Sequence, residues 1–402
     1  MRIALVTDYY LPTLGGVQTA VKSLREALTR AGLEVTVFCP LAHGSDDRSI
    51  VALPTSRVFR PDGYPFTWSP RDAVAVLRRE FAERRIDVVH THSEMFAALA
   101  GVRAARDLGI PVVHTMHGRV DVYTTSVVPL PRVTVPLLAA LHSRQISHRG
   151  LRVRADAPYT ATSPARRMWR LMLAQSRASD QVIVPSTHFA RKLEEQGVRT
   201  PVSVVSNGLE QSVLDRVGAP IERRLAPGET LRLLWVGRLS PEKRPAVIAE
   251  AARSFALDVS VDVYGDGLSR RAIERMGTPL VLHGSVSQQE VLDAMRASHL
   301  LVSSSYDFDN QPMVMLEAAA SGLPVLFCDP DLSEVVPPGG GFLTDTPDAA
   351  GITALVARLR REPETITAAS AAMIRARPQV AQRIDPVIEV YESAITGVAS
   401  AR

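Results

Sequence analysis

Leu231-Arg232-Leu233-Leu234-Trp235-Val236-Gly237-Arg238-Leu239-Ser240-Pro241-Glu242-Lys243-Arg244 reads as a buried strand, a glycine turn and the start of a helix. The run from Leu231 to Val236 is nearly all apolar, as a strand covered on both faces must be. Ser240-Pro241-Glu242 has the form of an N-cap followed by a first-turn proline. The chain opens in the same order. Arg2-Ile3-Ala4-Leu5-Val6 forms a strand, and a loop containing Leu14-Gly15-Gly16-Val17 leads into an amphipathic helix. Val17, Ala20, Val21, Leu24, Leu28 and Ala31 make its apolar stripe, Lys22, Arg25, Glu26 and Arg30 face out, and Gly32 ends it. The pattern therefore begins twice.

Working outward, apolar β-branched runs predict strands near 2–7, 34–39, 86–90, 110–115, 181–185 and 202–206. In the second half they fall near 231–236, 258–264, 279–283, 299–303 and 323–328. Helical stretches separate them, so the fold class is α/β: two Rossmann-like domains, each a parallel sheet with helices on both faces. The polar stretch from Asn207 to Glu229 is the natural join. The expected divisions are 1–209, 210–379, and a closing helical segment, 380–402, with its helix near Val380 to Thr396. No strand follows that helix, so it packs back across the molecule.

At 402 residues and 43.7 kDa the chain is long enough for two cores. A composition 46% hydrophobic and 22% charged excludes disorder as the main state. No apolar run approaches the roughly 18 residues that span a bilayer. The N-terminus reads as a first strand, not a secretory signal. Cys39 and Cys328 each end an apolar run and are expected as buried, reduced thiols, which points to the cytosol. The net charge of +4 does not suggest nucleic acid, but its distribution is uneven. Between Arg119 and Asp180 lie ten arginines and three aspartates, a local balance of +7 that favours phosphate groups or an acidic membrane surface.

The chemistry-bearing segments follow strand ends, where open α/β sheets bind ligands. Gly15-Gly16 before a helix N-terminus suits a diphosphate, or is simply a tight turn. It is not the Gly-x-Gly-x-x-Gly pattern of dinucleotide enzymes. Arg238 and Lys243 could hold a diphosphate and neutralise it as it leaves; ordinary surface charges explain many such pairs. Tyr264-Gly265-Asp266-Gly267 and His283-Gly284-Ser285-Val286 leave backbone groups bare for the edge of a base, or are turns. In Ser303 to Ala318, Asp309 lies in a loop and Glu317 about a turn inside the helix that Pro312 begins. Both acids can approach one ligand, and acids suit sugar hydroxyls.

Gly15-Gly16, Gly237-Arg238 with Lys243, Gly265-x-Gly267, and the acid–x7–acid segment ending Leu316-Glu317-Ala318 occur in an order that resembles family-four retaining glycosyltransferases of the GT-B fold. Within that family the chain resembles bacterial diacylglycerol glucosyltransferases and phosphatidylinositol mannosyltransferase-like enzymes. The resemblance implies a nucleotide-sugar donor in a cleft between the two domains, and no cofactor or resident metal. It implies that Gly16 lies against the diphosphate, that Arg238 and Lys243 bind it, and that Glu317 holds the ribose hydroxyls. Asp309 would touch the donor sugar, and His117 would be the cleft histidine near it. Gly15, Gly237, Gly265, Gly284, Val286, Met313 and Val314 complete the expected donor-binding set.

The family's first acid is usually glutamate followed by Gly-Phe-Gly; here Asp309 precedes Asn310-Gln311-Pro312. Aspartate is one methylene shorter, and Pro312 lacks an N–H donor. Asp307-Phe308-Asp309 also matches a metal motif of another glycosyltransferase fold. It is set aside because Arg238, Lys243 and a helix N-terminus already neutralise a diphosphate. His90, His92, His114 and His117 lie near two strand ends and fit a substrate pocket better than a metal site. Glu94 matches an acceptor position of the diacylglycerol enzymes, or is a helix N-cap acid.

The implied reaction is front-face hexosyl transfer with retention, from a donor of the UDP-glucose or GDP-mannose type to an acceptor hydroxyl. A membrane lipid or lipid-linked glycan is one acceptor class, placing the protein at the inner face of the membrane. A soluble small molecule or polysaccharide is the other, and a nucleotide-sugar 2-epimerase of the same fold is the rival activity. Within 119–180, Ser163-Pro164 opens a helix carrying Arg166, Arg167 and Arg170 beside Met168, Trp169, Leu171, Met172 and Leu173. Val133 to Leu141 adds a second apolar stretch. These either lie in a headgroup region or pack on the sheet with their arginines in solvent.

Overall fold

The computed structural model describes residues 1–10, 15–41, 45–56, 65–67, 70–128 and 130–400; Leu14 of the first glycine loop lies outside them. The chain divides into two units. Met1–Asn207 and Gln382–Arg402 form one, and Gly208–Ala381 the other.

The first unit holds strands β1 (Arg2–Val6), β2 (Glu34–Pro40), β3 (Ile50–Leu53), β4 (Val88–Thr91), β5 (Val112–Thr115), β6 (Gln181–Val184) and β7 (Val202–Val204). They lie in the order β3-β2-β1-β4-β5-β6-β7, with every neighbour parallel. Strand β1 shows why both faces need cover. Ile3 and Leu5 enter a core with Val21, Leu24 and Leu28 of the helix Gly16–Arg30 and with Val387, Val390 and Tyr391. Ala4 and Val6 enter the opposite core with Leu77, Phe81 and Leu99. The second unit holds β8 (Leu231–Val236), β9 (Val259–Tyr264), β10 (Leu280–Gly284), β11 (Leu300–Ser303), β12 (Val325–Phe327) and β13 (Gly341–Leu343), again parallel. Their order is β10-β9-β8-β11-β12-β13.

Two strands depart from the sequence reading. Strands β3 and β13 are short and lie at sheet edges. Their backbone is ordered by one neighbour's hydrogen bonds, not by a long apolar run of their own. The helix start read at Ser240-Pro241 is a single 3-10 turn, Pro241–Lys243, and the helix itself is Pro245–Ala252. The closing helix is Asp385–Ser400, after a 3-10 turn at Arg377–Val380; Pro386, which cannot donate to a preceding turn, sets its start. It packs on the first unit, as Val387, Val390 and Tyr391 show. Both cysteines are free and buried.

In the basic segment, the helix Ser163–Arg177 is a core helix. Trp169 is fully buried beside Tyr159 and Phe189, and Met168, Leu171 and Met172 are buried with it. Of the two readings of this helix, packing on the sheet is the one observed. The helix Pro131–Ser143 differs: Leu130, Val133 and Leu137 stand 75%, 66% and 56% exposed along one side. Leu130 also holds a left-handed backbone, φ 48°, which costs an L side chain on the order of 1 kcal/mol.

The ends of β4 and β5 carry a buried histidine layer. The His90 ring lies between the Tyr391 hydroxyl, 2.7 Å from Nδ1, and the Thr115 hydroxyl, 2.6 Å from Nε2. Burial holds His90, His92 and His142 well below the usual imidazole range and His117 down at about 3. Folded, these rings stay neutral; unfolded, they take protons below about pH 6.5. Their contribution is therefore present above that pH and lost as pH falls, at about 1.4 kcal/mol per net proton per pH unit. Buried Asp8, raised to about 6, offsets part of this by taking a proton in the folded state. The urea midpoint should fall steadily from pH 6.5 to 5; a flat profile would show that the native rings accept protons.

Candidate functional site

In the second sheet, β8 is flanked by β9 on one side and β11 on the other, so the strand order reverses between β8 and β11. Crossovers leave this reversal point on opposite faces, which opens a crevice at the carboxyl ends of the two strands. The loops entering it are 237–244 and 304–312. Trp235 on β8 donates its indole N–H to the Ser304 hydroxyl at 2.9 Å, and Ser304 donates to the Lys243 carbonyl at 2.8 Å. The two loops are thereby locked together by a buried pair of hydrogen bonds.

Across this lock, Lys243 Nζ meets Asp309 Oδ1 at 2.5 Å, with the ammonium 5.2 Å from the Phe308 ring centroid. Both side chains are mostly buried yet not sealed, at 23% and 11% exposure. Arg238 is held differently. Its guanidinium meets Glu242 at 3.0 Å, and Glu242, fully buried, also accepts from Ser240 at 2.5 Å. The sequence reading supplied the cations but not Glu242, which aims one of them. The Asp307 backbone N–H donates to the Asp329 carboxylate at 2.6 Å. Among the described residues no group of three or more His, Cys, Asp or Glu is placed to hold a metal ion.

Glu317 lies on the helix Met313–Ser321. Burial raises its carboxyl to about 7, against the lowering effect of a hydrogen bond from Gln288 at 2.7 Å. Pro312 is the N-cap of that helix, and no described side chain caps it, so the first-turn amides of Met313 and Val314 point outward as an anion site would require. Gly265 has a steric reason of its own. At φ 137°, a Cβ there would lie 1.9 Å from the Gly237 carbonyl oxygen. Its N–H is already given to the Gly284 carbonyl at 2.8 Å, so Gly265 and Gly284 brace each other. That is a correction to the expectation of bare backbone at Gly265. Val286 stands half-buried just beyond them.

In the first sheet the reversal lies between β1 and β4. Asp8 follows β1 and caps the helix Phe96–Leu108, accepting from the Ala97 and Ala98 amides at 2.8 and 3.3 Å and from the Ser93 hydroxyl at 2.6 Å. Asp8 thus takes the capping role that the sequence offered to Glu94. Glu94 is free for other work: it is buried, with Oε1 3.7 Å from His114 Nε2, and neither atom has a hydrogen-bond partner. His92 Nδ1 and His117 Nε2 lie 3.0 Å apart, and His92 Nε2 is buried and unpaired. His92, His117, Thr115, Ser206, Asn207 and Gln382, together with the apolar Ala20, Leu24, Ile183, Val205 and Val387, line a small cavity of mixed character. At the start of the helix Gly16–Arg30, a Cβ on Gly16 would meet none of the described residues within 4 Å.

The site residues thus fall into two groups. Lys243, Asp309, Arg238, Gly237, Gly265, Gly284, Val286, Met313, Val314 and Glu317 belong to the second unit, and Gly15, Gly16, Glu94 and His117 to the first. Sequence reasoning missed Glu242, Asp8, Tyr391 and Gln288. Only Asp8, an acid at the end of the first strand, had a visible signal.

Comparison with known proteins agrees with this layout. The family model described as Glycosyltransferase Family 4 matches residues 14–212, and that described as Glycosyl transferases group 1 matches residues 230–362. A GDP-mannose-dependent alpha-mannosyltransferase of Mycobacterium tuberculosis is 28% identical over 366 residues, covering 87% of each chain. An alpha-monoglucosyldiacylglycerol synthase of Streptococcus pneumoniae is 24% identical, over 81% of this chain and 70% of the relative. The crystal structure of Anabaena HepE in complex with UDP-glucose superposes over the whole of both chains with a TM-score of 0.65 at 15% identity. Two matched models in tandem, over two parallel sheets of this order, leave one assignment: the chain belongs to the family-four, group 1 glycosyltransferases of the GT-B fold, enzymes that use nucleotide sugars.

Proposed function

We propose that this enzyme transfers a hexose from a nucleoside diphosphate sugar of the UDP-glucose or GDP-mannose type, with retention, to a hydroxyl of a membrane lipid or lipid-linked acceptor. The second unit, together with Gly15, Gly16 and His117, serves the donor, and the first unit takes the acceptor. The observation that carries the donor reading is the Lys243–Asp309 pair across the β8/β11 crevice, beside the uncapped turn at Met313. An ammonium held by one carboxylate, with helix amides nearby, can take up the charge of a departing diphosphate. In this reading Asp309 serves the sugar whose bond breaks, and the buried Glu317 serves the ribose. The acceptor hydroxyl attacks from the leaving-group side, so no enzymatic nucleophile is required. Positioning and leaving-group stabilisation supply the rate. No residue of this scheme calls for a metal.

Support for a lipid acceptor comes from the helix Pro131–Ser143. Leu130, Val133 and Leu137 expose an apolar stripe, Arg132 and Arg144 are exposed beside it, and the whole segment 119–180 is basic. Among the described residues no helix is long and apolar enough to cross a membrane. Contact is therefore proposed as peripheral, on the cytoplasmic side. The relative that makes monoglucosyldiacylglycerol favours this acceptor class.

Three outcomes test the proposal. Lys243→Ala and Arg238→Ala should each lower transfer by on the order of 100-fold, the scale for losing one transition-state charge partner; near wild-type turnover in either would remove the leaving-group assignment. Asp309→Ala should lower kcat more than donor affinity, and Glu317→Ala should raise donor KM more than it lowers kcat, with UDP-glucose, UDP-GlcNAc and GDP-mannose first ranked by thermal shift. Reversed phenotypes would exchange the two roles. At low salt the protein should float with anionic and not neutral liposomes, and Leu130→Ser with Val133→Ser and Leu137→Ser should abolish it. Negligible flotation on both would leave a soluble acceptor.

A further inference from the structure

Glu317 does not stand alone. Gln288, the first residue of the helix Gln288–Ala297, donates from Nε2 to Glu317 Oε1 at 2.7 Å, and its Oε1 accepts from Arg216 at 2.7 Å. Arg216 comes from a third element, the helix Gln211–Val217. An arginine can only donate, so the amide oxygen of Gln288 must face it and the amide nitrogen must face Glu317. The amide is therefore oriented by chemistry as well as by position. Its backbone is fixed too, because Ser287 and Glu290 close a capping box around that helix start. Glu317 Oε1 is thereby occupied, and among the described residues no group bonds Oε2.

We propose that Arg216 and Gln288 are positioning residues for the donor: they turn Glu317 so that Oε2 faces the ribose diol and keep its carboxyl ionised when the donor binds. This deepens the donor reading above and rests on the ribose role of Glu317. A carboxylate accepts from two ribose hydroxyls, whereas a protonated carboxyl spends one oxygen as a donor. Burial works against the ionised form here, and the Gln288 hydrogen bond and the Arg216 charge work for it. Other charged groups on the packed helices are engaged elsewhere. Asp215 takes Gln211, Arg296 bonds the Val217 and Ala219 carbonyls, and Arg377 bonds the Leu214 and Gly218 carbonyls. Glu290 caps Ser287 and Asp293 takes Gln289. Glu364 and Arg375, on the helix Pro363–Ala376, make no contact with Glu317.

The experiment is the affinity of the full chain for UDP and GDP, whichever binds more tightly, from pH 5.5 to 9. Wild type should gain affinity as pH rises through about 7, where Glu317 ionises. In Gln288→Leu the midpoint should move up by about one pH unit, so the weakening at pH 7 exceeds by about five-fold the residual weakening at pH 9 that lost orientation leaves. Gln288→Glu, nearly isosteric, should move it further, since two facing carboxyls resist joint ionisation. Arg216→Met should give a smaller shift of the same sign, reversed by Arg216→Lys. Weakening that is the same at every pH, or an unmoved midpoint in both Gln288 variants, would overturn the relay. The ribose role is read separately with Glu317→Gln and the 2′-deoxy nucleotide. If that variant binds both nucleotides as wild type does, the ribose reading itself has failed.

Discussion

The chemistry of this protein depends on one crossing point, where the chain leaves β8 on one face and β11 on the other. That reversal is the place in the second sheet where two loops can diverge and leave room for a ligand while their strands stay bonded. The Trp235–Ser304–Lys243 lock holds the loops in register, and the Lys243–Asp309 pair closes across it. Remove the lock and the ammonium has no fixed position. A cation with a wandering position stabilises a leaving diphosphate poorly, because reorganisation must then occur during the reaction.

Charge in the crevice is balanced before any donor arrives. Lys243 is paired with Asp309, and Arg238 with Glu242. Two unpaired cations in a partly buried crevice would repel each other and resist desolvation; two paired ones do not. In the proposed scheme donor binding is an exchange of partners, in which a diphosphate would offer Lys243 a stronger acceptor and free Asp309 for sugar hydroxyls. The shorter acid at 309 fits this picture, since it reaches Lys243 without displacing the loop that Asp329 pins through the Asp307 amide.

The first unit solves a different problem. Its strand ends carry imidazoles and carboxyls in a buried layer, and the closing helix supplies the Tyr391 hydroxyl that anchors His90. The His90 and His92 rings lie tilted against each other with centroids 4.0 Å apart, and His92 stacks on His117 and bonds it. The neutral state of these rings suits the acceptor role proposed for this unit. A neutral imidazole can both donate and accept, whereas an imidazolium only donates. The cost is sensitivity to acid, carried by the same burial that keeps the rings neutral.

The alternation of apolar strands and amphipathic helices, the double restart at residues 2 and 231, and the glycine loops that follow strand ends were all legible in the amino-acid order. They are short-range patterns: the backbone period and the need to cover both faces of a parallel sheet write them into neighbouring residues. Lys243, Arg238, Asp309 and Glu317 were legible as residue types in the right loops. What they touch was not. Asp309 lies 66 positions from Lys243, Gln288 lies 29 from Glu317, and Tyr391 lies 301 from His90. The edge strands β3 and β13 were invisible for the same reason, being ordered by a neighbour and not by their own composition. Trp169 is the sharpest case. A helix with one tryptophan and four arginines reads equally as a membrane face or a core face, and only the packing of Tyr159 and Phe189 against the indole decides which. Local order is set by each residue's own covalent geometry and polarity; partnership across the fold is set by which loops the sheet order brings together.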